Sequence, residues 1–115
     1  MRNGDAAGAA DFCKWVEDVL VDVINMTKEK MEKYYDEHVT DTMCRNELYK
    51  KYYMDTIIED TSAVAGLELI RRIVGMANVK DITTIADEAK RARAEKICIT
   101  AAIDFIKNRN AASAS

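Results

Sequence analysis

Asp87-Glu88-Ala89-Lys90-Arg91-Ala92-Arg93-Ala94-Glu95-Lys96-Ile97-Cys98-Ile99-Thr100-Ala101-Ala102-Ile103-Asp104-Phe105-Ile106-Lys107 is the stretch from which the fold is read. Ala94, Ile97, Cys98, Ala101, Ala102, Phe105 and Ile106 recur at steps of one, three and four, which is one stripe of a 3.6-residue helix. Arg91, Arg93, Glu95 and Lys96 decorate the other face. A helix is expected to start near Asp87 and to reach Lys107 or Asn108.

Moving towards the N-terminus, the same period returns twice. Tyr49, Tyr52, Tyr53, Ile57 and Ile58 begin a pattern that Leu67, Ile70, Ile73 and Val74 complete, so a second long helix is expected from about Cys44 to Val74. Within it, Asp60-Thr61-Ser62-Ala63-Val64-Ala65-Gly66 is small and less committed. An interior glycine costs about 1 kcal/mol against alanine, so Gly66 marks either a tight packing point or a kink. Gly75 suits the residue just past a helix end. A first helix is expected from Asp11, its N-cap, to about His38, along Phe12, Trp15, Val16, Val19, Leu20, Val23, Met26, Met31 and Tyr34. Lys28, Lys30 and Lys33 suit the C-terminal dipole of that helix, and β-branched, polar Val39-Thr40-Asp41-Thr42 should end it. The connection 78–84 has room for one short turn.

Composition agrees with this reading. The 115 residues suffice for one domain with a modest core, and they contain no proline and four glycines. A many-stranded sheet would need more turn chemistry than that. The expected fold is all-α, three long helices with short connections. Its expected organisation is a flexible segment over 1–10, one helical domain over 11–109 and a disordered tail over 110–115. The start of the chain is too short for a signal-peptide core, and no apolar run approaches the roughly 20 residues of a spanning helix. Cys13, Cys44 and Cys98 are odd in number and widely spaced, which points to reduced, mostly buried thiols in a cytoplasmic protein. A net charge of -3 opposes generic nucleic-acid binding. Neither nucleic acid nor membrane is expected as a partner.

Most catalytic chemistries fail on residue supply. His38 is the sole imidazole and has no glutamate three residues before it, so it reads as a solvated or capping side chain, and no metal site is expected. A cysteine nucleophile would lack a positioned base. Neither Gly-x-Gly-x-x-Gly nor the Walker pattern occurs, so the chain offers no nucleotide site of its own. Asp55, Glu59 and Asp60 form an acidic cluster, which reads as a solvated face or as support for a site elsewhere. Lys90, Arg91, Arg93 and Lys96 are interleaved with Glu88 and Glu95, which suits ion pairs across helical turns.

The pair Arg71-Arg72 stands apart, inside the otherwise apolar helix end Leu67-Glu68-Leu69-Ile70-Arg71-Arg72-Ile73-Val74-Gly75. Neighbours on a helix point about 100° apart, so the two guanidinium groups sweep a broad arc. Cations late in a helix suit its dipole and their stems can snorkel, which is a structural role. Guanidinium forks also suit anion or polyol recognition. The residues alone leave both readings open.

The strings Glu59-Asp60-Thr61-Ser62-Ala63-Val64-Ala65-Gly66, Ile70-Arg71-Arg72-Ile73-Val74-Gly75-Met76-Ala77 and Val79-Lys80-Asp81-Ile82, continued by Asp87-Glu88 and Arg91-Ala92-Arg93-Ala94-Glu95, resemble the C-terminal part of the S-methyl-5-thioribose kinases. The resemblance covers most of residues 11–108 and is densest over 57–82. It implies the kinase-like fold shared with aminoglycoside phosphotransferases, ATP and magnesium as partners of the complete enzyme, and phosphorylation of methylthioribose in methionine salvage. It also implies dimers, and substrate contact through Arg71 and Arg72. The nucleotide-binding lobe, the His-Gly-Asp catalytic loop and the later acidic metal-binding motif have no counterpart here. Phosphoryl transfer needs nucleotide, metal and acceptor positioned together. The chain is therefore expected to be a truncated product or fragment, inactive and without a cofactor on its own. The alternative expectation is a non-catalytic helical module that self-associates, because faces meant for a missing half would be exposed.

Overall fold

A computed structural model of the chain describes residues 6–114. Among them the order is α1 (Ala6–His38), α2 (Glu47–Ile73), α3 (Lys80–Thr83), α4 (Glu88–Lys107) and a 3₁₀ turn over Arg109–Ala111, with no strand. The fold is all-α, with three long helices and the short turn foreseen between the second and third of them. Two compact units divide the chain, one ending at Lys50 and the other beginning at Lys51.

In the first unit α1 starts five residues before Asp11, which therefore lies inside the helix and does not cap it. Ala6, Ala7, Ala9 and Ala10 explain the extension, since alanine is the best helix former and carries the helix towards the N-terminus through Gly8. Residues 1–5 of the expected flexible segment lie outside the described residues. At the other end His38 caps the helix as one of its expected readings had it: Nδ1 donates to Tyr34 O at 3.0 Å, and the ring stacks on Tyr34 at 3.9 Å between centroids. The connection then folds on its own polar side chains. Asp41 Oδ1 accepts from Met43 N at 2.8 Å, and Asn46 Oδ1 accepts from Leu48 N at 2.8 Å. These local bonds compete with helix, which is why α2 begins at Glu47 and not at Cys44. Tyr35, only 7% exposed, donates its hydroxyl to Cys44 O at 2.5 Å and ties this connection to α1.

The second unit is organised by small residues. Gly66 and Ala102, the latter with no exposed surface, are its buried residues. A Cβ at Gly66 would meet Ala102 O at 2.6 Å and Cγ1 of Ile106 at 2.8 Å. The glycine is thus a close-approach point, and α2 runs through it without interruption. Glu59, Ser62 and Gly66 share one face at helical spacing. Ser62 Oγ donates to Phe105 O at 3.1 Å, and Glu59 Oε1 accepts from Ser113 Oγ at 2.7 Å. Ser113, within the segment expected to be a disordered tail, is thereby bonded to α2; Ser115 lies outside the described residues. Asp87 begins α4 as expected: its Oδ1 accepts from Ala89 N at 3.0 Å and from Lys90 N at 3.1 Å, satisfying two of the orphan donors of the first turn.

Candidate functional site

Arg71 and Arg72 occupy the last turn of α2, where the chain leaves the helix through Gly75 in the left-handed region at φ +90°. The glycine is required there, because a side chain would be strained at that φ. Val74 N still donates to Ile70 O at 2.8 Å, and Val79 N returns to Arg72 O at 3.0 Å, closing the turn over residues 73–78. Asn78 Nδ2 donates to Gly75 O at 3.4 Å, and Thr83 Oγ1 donates to Val79 O at 3.0 Å, seating α3 directly after it.

The two guanidinium groups have different surroundings. Arg71 is bonded through each of its three nitrogens: Nε donates to Glu68 Oε2 at 2.7 Å, Nη2 bonds Glu68 Oε1, and Nη1 donates to Ala77 O at 3.2 Å. This is a two-point fork on one carboxylate with the third edge on the turn. The hydrogen bond from Arg71 holds the Glu68 carboxyl below the usual carboxylate range, with a smaller contribution from the nearby charges of Arg71 and Arg72 and partial burial opposing it. Glu68 in turn raises Arg71 above the ordinary arginine value, first through that hydrogen bond. Arg72 makes a single longer contact, Nη2 to Asp81 Oδ2 at 3.3 Å, with its own side chain 40% exposed and that of Asp81 73%.

The sequence singled out the arginines but neither of their partners. Glu68 was findable, since it sits three residues before Arg71 on the same face. Asp81 was not, since only the turn at Gly75 brings it back to α2.

Elsewhere some members of the charged clusters have local partners. Asp55 pairs with Lys51 at 2.5 Å, Glu59 accepts from Ser113, and Arg91 lies 3.9 Å from Glu88 while donating to Ile85 O at 3.3 Å. In the first unit an open cavity of about 260 Å³ is lined by Tyr35, Asp36, Arg45, Glu47 and Lys50. Lys50 Nζ spans both oxygens of Asp36, at 2.7 and 2.8 Å, and this hydrogen bonding raises its pKa against the opposing effect of burial. Among the described residues no three His, Cys, Asp or Glu side chains are grouped to hold a metal ion, and no helix is long and apolar enough to cross a membrane. The three cysteines are unpaired; Cys44 and Cys98 are half-buried, whereas Cys13 is exposed on α1, against the expectation of mostly buried thiols.

No family model matches the chain, and no solved structure matches it. Curated proteins do. Methylthioribose kinase 1 of Oryza sativa subsp. japonica is 27% identical over 94% of this chain and 28% of its own length. The methylthioribose kinase of Bacillus pumilus is 29% identical over 82% of the chain and 24% of its own length. That of Escherichia coli O45:K1 is 26% identical over 86% and 26%. The chain spans about a quarter of the length of these relatives. Over nearly all of its own length, then, what this helical chain resembles is one portion of a methylthioribose kinase.

Proposed function

We propose that this chain is the C-terminal helical segment of a methylthioribose-kinase-like phosphotransferase, contributing Arg71 and Arg72 to the sugar side of the site and transferring no phosphoryl group by itself. The observation that carries the proposal is the match of almost the whole chain to about a quarter of each relative. Arg71 and Arg72 support the substrate reading by chemistry, because a guanidinium presents several N–H donors to the oxygens of a polyol or a phosphoryl group. Magnesium and ATP, which the resemblance implies for a complete enzyme, do not fit the residues here. Among the described residues no acidic trio is grouped for the metal, Gly66 is packed against Ala102 and Ile106, and Gly75 is used to turn the chain. Three unpaired thiols suit a reducing, cytoplasmic setting in which such a kinase would serve methionine salvage. Incubation of the chain with ATP, magnesium and methylthioribose should leave the ATP unconsumed; measurable turnover overturns the claim of inactivity.

A second reading, a self-associating helical module, is favoured by the exposed apolar residues. Phe12, Trp15, Leu20, Val23 and Met26 on α1 are each about half exposed or more. Apolar surface of that extent usually meets a partner. A dimer or larger species in light scattering at micromolar concentration supports it, and a monomer counts against it.

A further inference from the structure

We propose that the cavity beside the connection from α1 to α2 binds a free α-amino acid, with Arg45 and Lys50 taking its carboxylate and Glu47 its ammonium group. The lining belongs wholly to the first unit, which ends at Lys50, and the inference does not depend on the kinase reading.

The charges of the lining select the ligand. Arg45 and Lys50 are cationic and Asp36 and Glu47 anionic, so the cavity wall is neutral overall but carries both signs. A bare anion or a bare cation is repelled by half of it, whereas a zwitterion matches both halves. The four groups are unequally committed. Asp36 accepts from Lys50 Nζ with both oxygens, at 2.7 and 2.8 Å, and the Lys50 side chain is only 16% exposed, so this pair is a fixed wall. An ammonium has three donors, which leaves Lys50 one for a ligand. Arg45 and Glu47 flank Asn46, and among the described residues their side chains make no hydrogen bond or ion pair, not even with each other. Opposite charges that line one cavity without meeting leave a gap that a molecule bearing both can bridge.

The backbone holds these groups in place beforehand. Cys44 N and Arg45 N both donate to Asp41 O at 3.1 Å, and Tyr35 donates its hydroxyl to Cys44 O. Asn46 Oδ1 accepts from Leu48 N, and Asn46 O accepts from Lys50 N at 2.9 Å. Binding therefore orders side chains and not the chain that carries them. The volume of about 260 Å³ lies below the roughly 300–1,000 Å³ of drug-sized sites, which suits a molecule of amino-acid size. Tyr35, the one aromatic residue of the lining, favours an apolar side chain on it.

The test titrates the ¹⁵N-labelled full chain with leucine and follows the backbone amides of residues 44–50. Saturable shifts are expected at millimolar leucine. N-acetyl-leucine, which lacks the ammonium group, and leucinamide, which lacks the carboxylate, should each bind about tenfold more weakly, the loss that goes with one charged hydrogen bond. Arg45→Gln and Glu47→Gln should weaken leucine by a similar factor while keeping the thermal midpoint, since both side chains are exposed. Arg45→Lys should recover part of the affinity. The absence of saturable shifts overturns the site. N-acetyl-leucine binding as well as leucine would make it an anion site, leucinamide binding as well would make it a cation site, and either result overturns the zwitterion. Shifts unchanged in both Gln variants place leucine elsewhere and overturn the assignment to this cavity.

Discussion

A Cβ built on Gly66 would stand 2.6 Å from the carbonyl oxygen of Ala102, a distance that no real side chain keeps. The obstacle is backbone, so it cannot swing aside as the tip of a side chain could. Gly66→Ala would gain about 1 kcal/mol of helix propensity. Overpacking typically costs about 1–3 kcal/mol, and α4 would have to move away to relieve it. The expected result in urea unfolding is a net loss of up to about 2 kcal/mol. A variant more stable than the parent would refute the close approach of α2 and α4.

Asp87 accepts from two backbone amides of the first turn of α4. Asp87→Ala leaves both without that acceptor and should cost about 1 kcal/mol. Asp87→Asn keeps an oxygen in place and should cost much less. Thermal unfolding followed by circular dichroism separates the two variants; equal losses would mean that the carboxylate charge matters and the cap does not.

Tyr35 joins α1 to the connection that follows it. Its buried ring is held by packing, and its hydroxyl donates to Cys44 O. Tyr35→Phe keeps the ring and removes the donor, so the expected cost is about 0.5–1.5 kcal/mol, the usual net worth of such a bond. Chemical-denaturation midpoints measure it. A neutral outcome would mean that water replaces the hydroxyl at the Cys44 carbonyl.

Much of the architecture was legible because helical stripes are local. Asp87 and Gly75 marked ends that the structure keeps, since a cap and a left-handed turn depend on a few adjacent residues. Asp11 misled because good cap chemistry was outweighed by a run of alanines before it. Cys44 misled because Asp41 and Asn46 hold the backbone in turns that periodicity does not register. At the candidate site the arginines stood out as charges in an apolar helix end. Their inequality was invisible, because it depends on the turn that aims Ala77 O at one guanidinium and places Asp81 near the other.

The pH dependence of that turn has a definite sign. The Glu68 carboxyl is held below its ordinary range by the hydrogen bond from Arg71, so the folded chain favours its ionised form. A carboxylate depressed by folding stabilises the fold above its unfolded pKa and loses that contribution as pH falls through the lowered, folded value. Arg71 stays charged throughout, so acid removes only the carboxylate half of the fork. Both side chains are about half exposed, and salt should weaken the pair further. Acid titration should therefore loosen the segment 74–79 before α4 melts. Amide exchange at Val79 should rise below the usual carboxylate range in the parent and be fast at every pH in Glu68→Gln. If the parent shows no such rise while Glu68 titrates, the turn is held by Gly75 and the backbone bond to Arg72 O alone, and the fork between Glu68 and Arg71 is incidental to it.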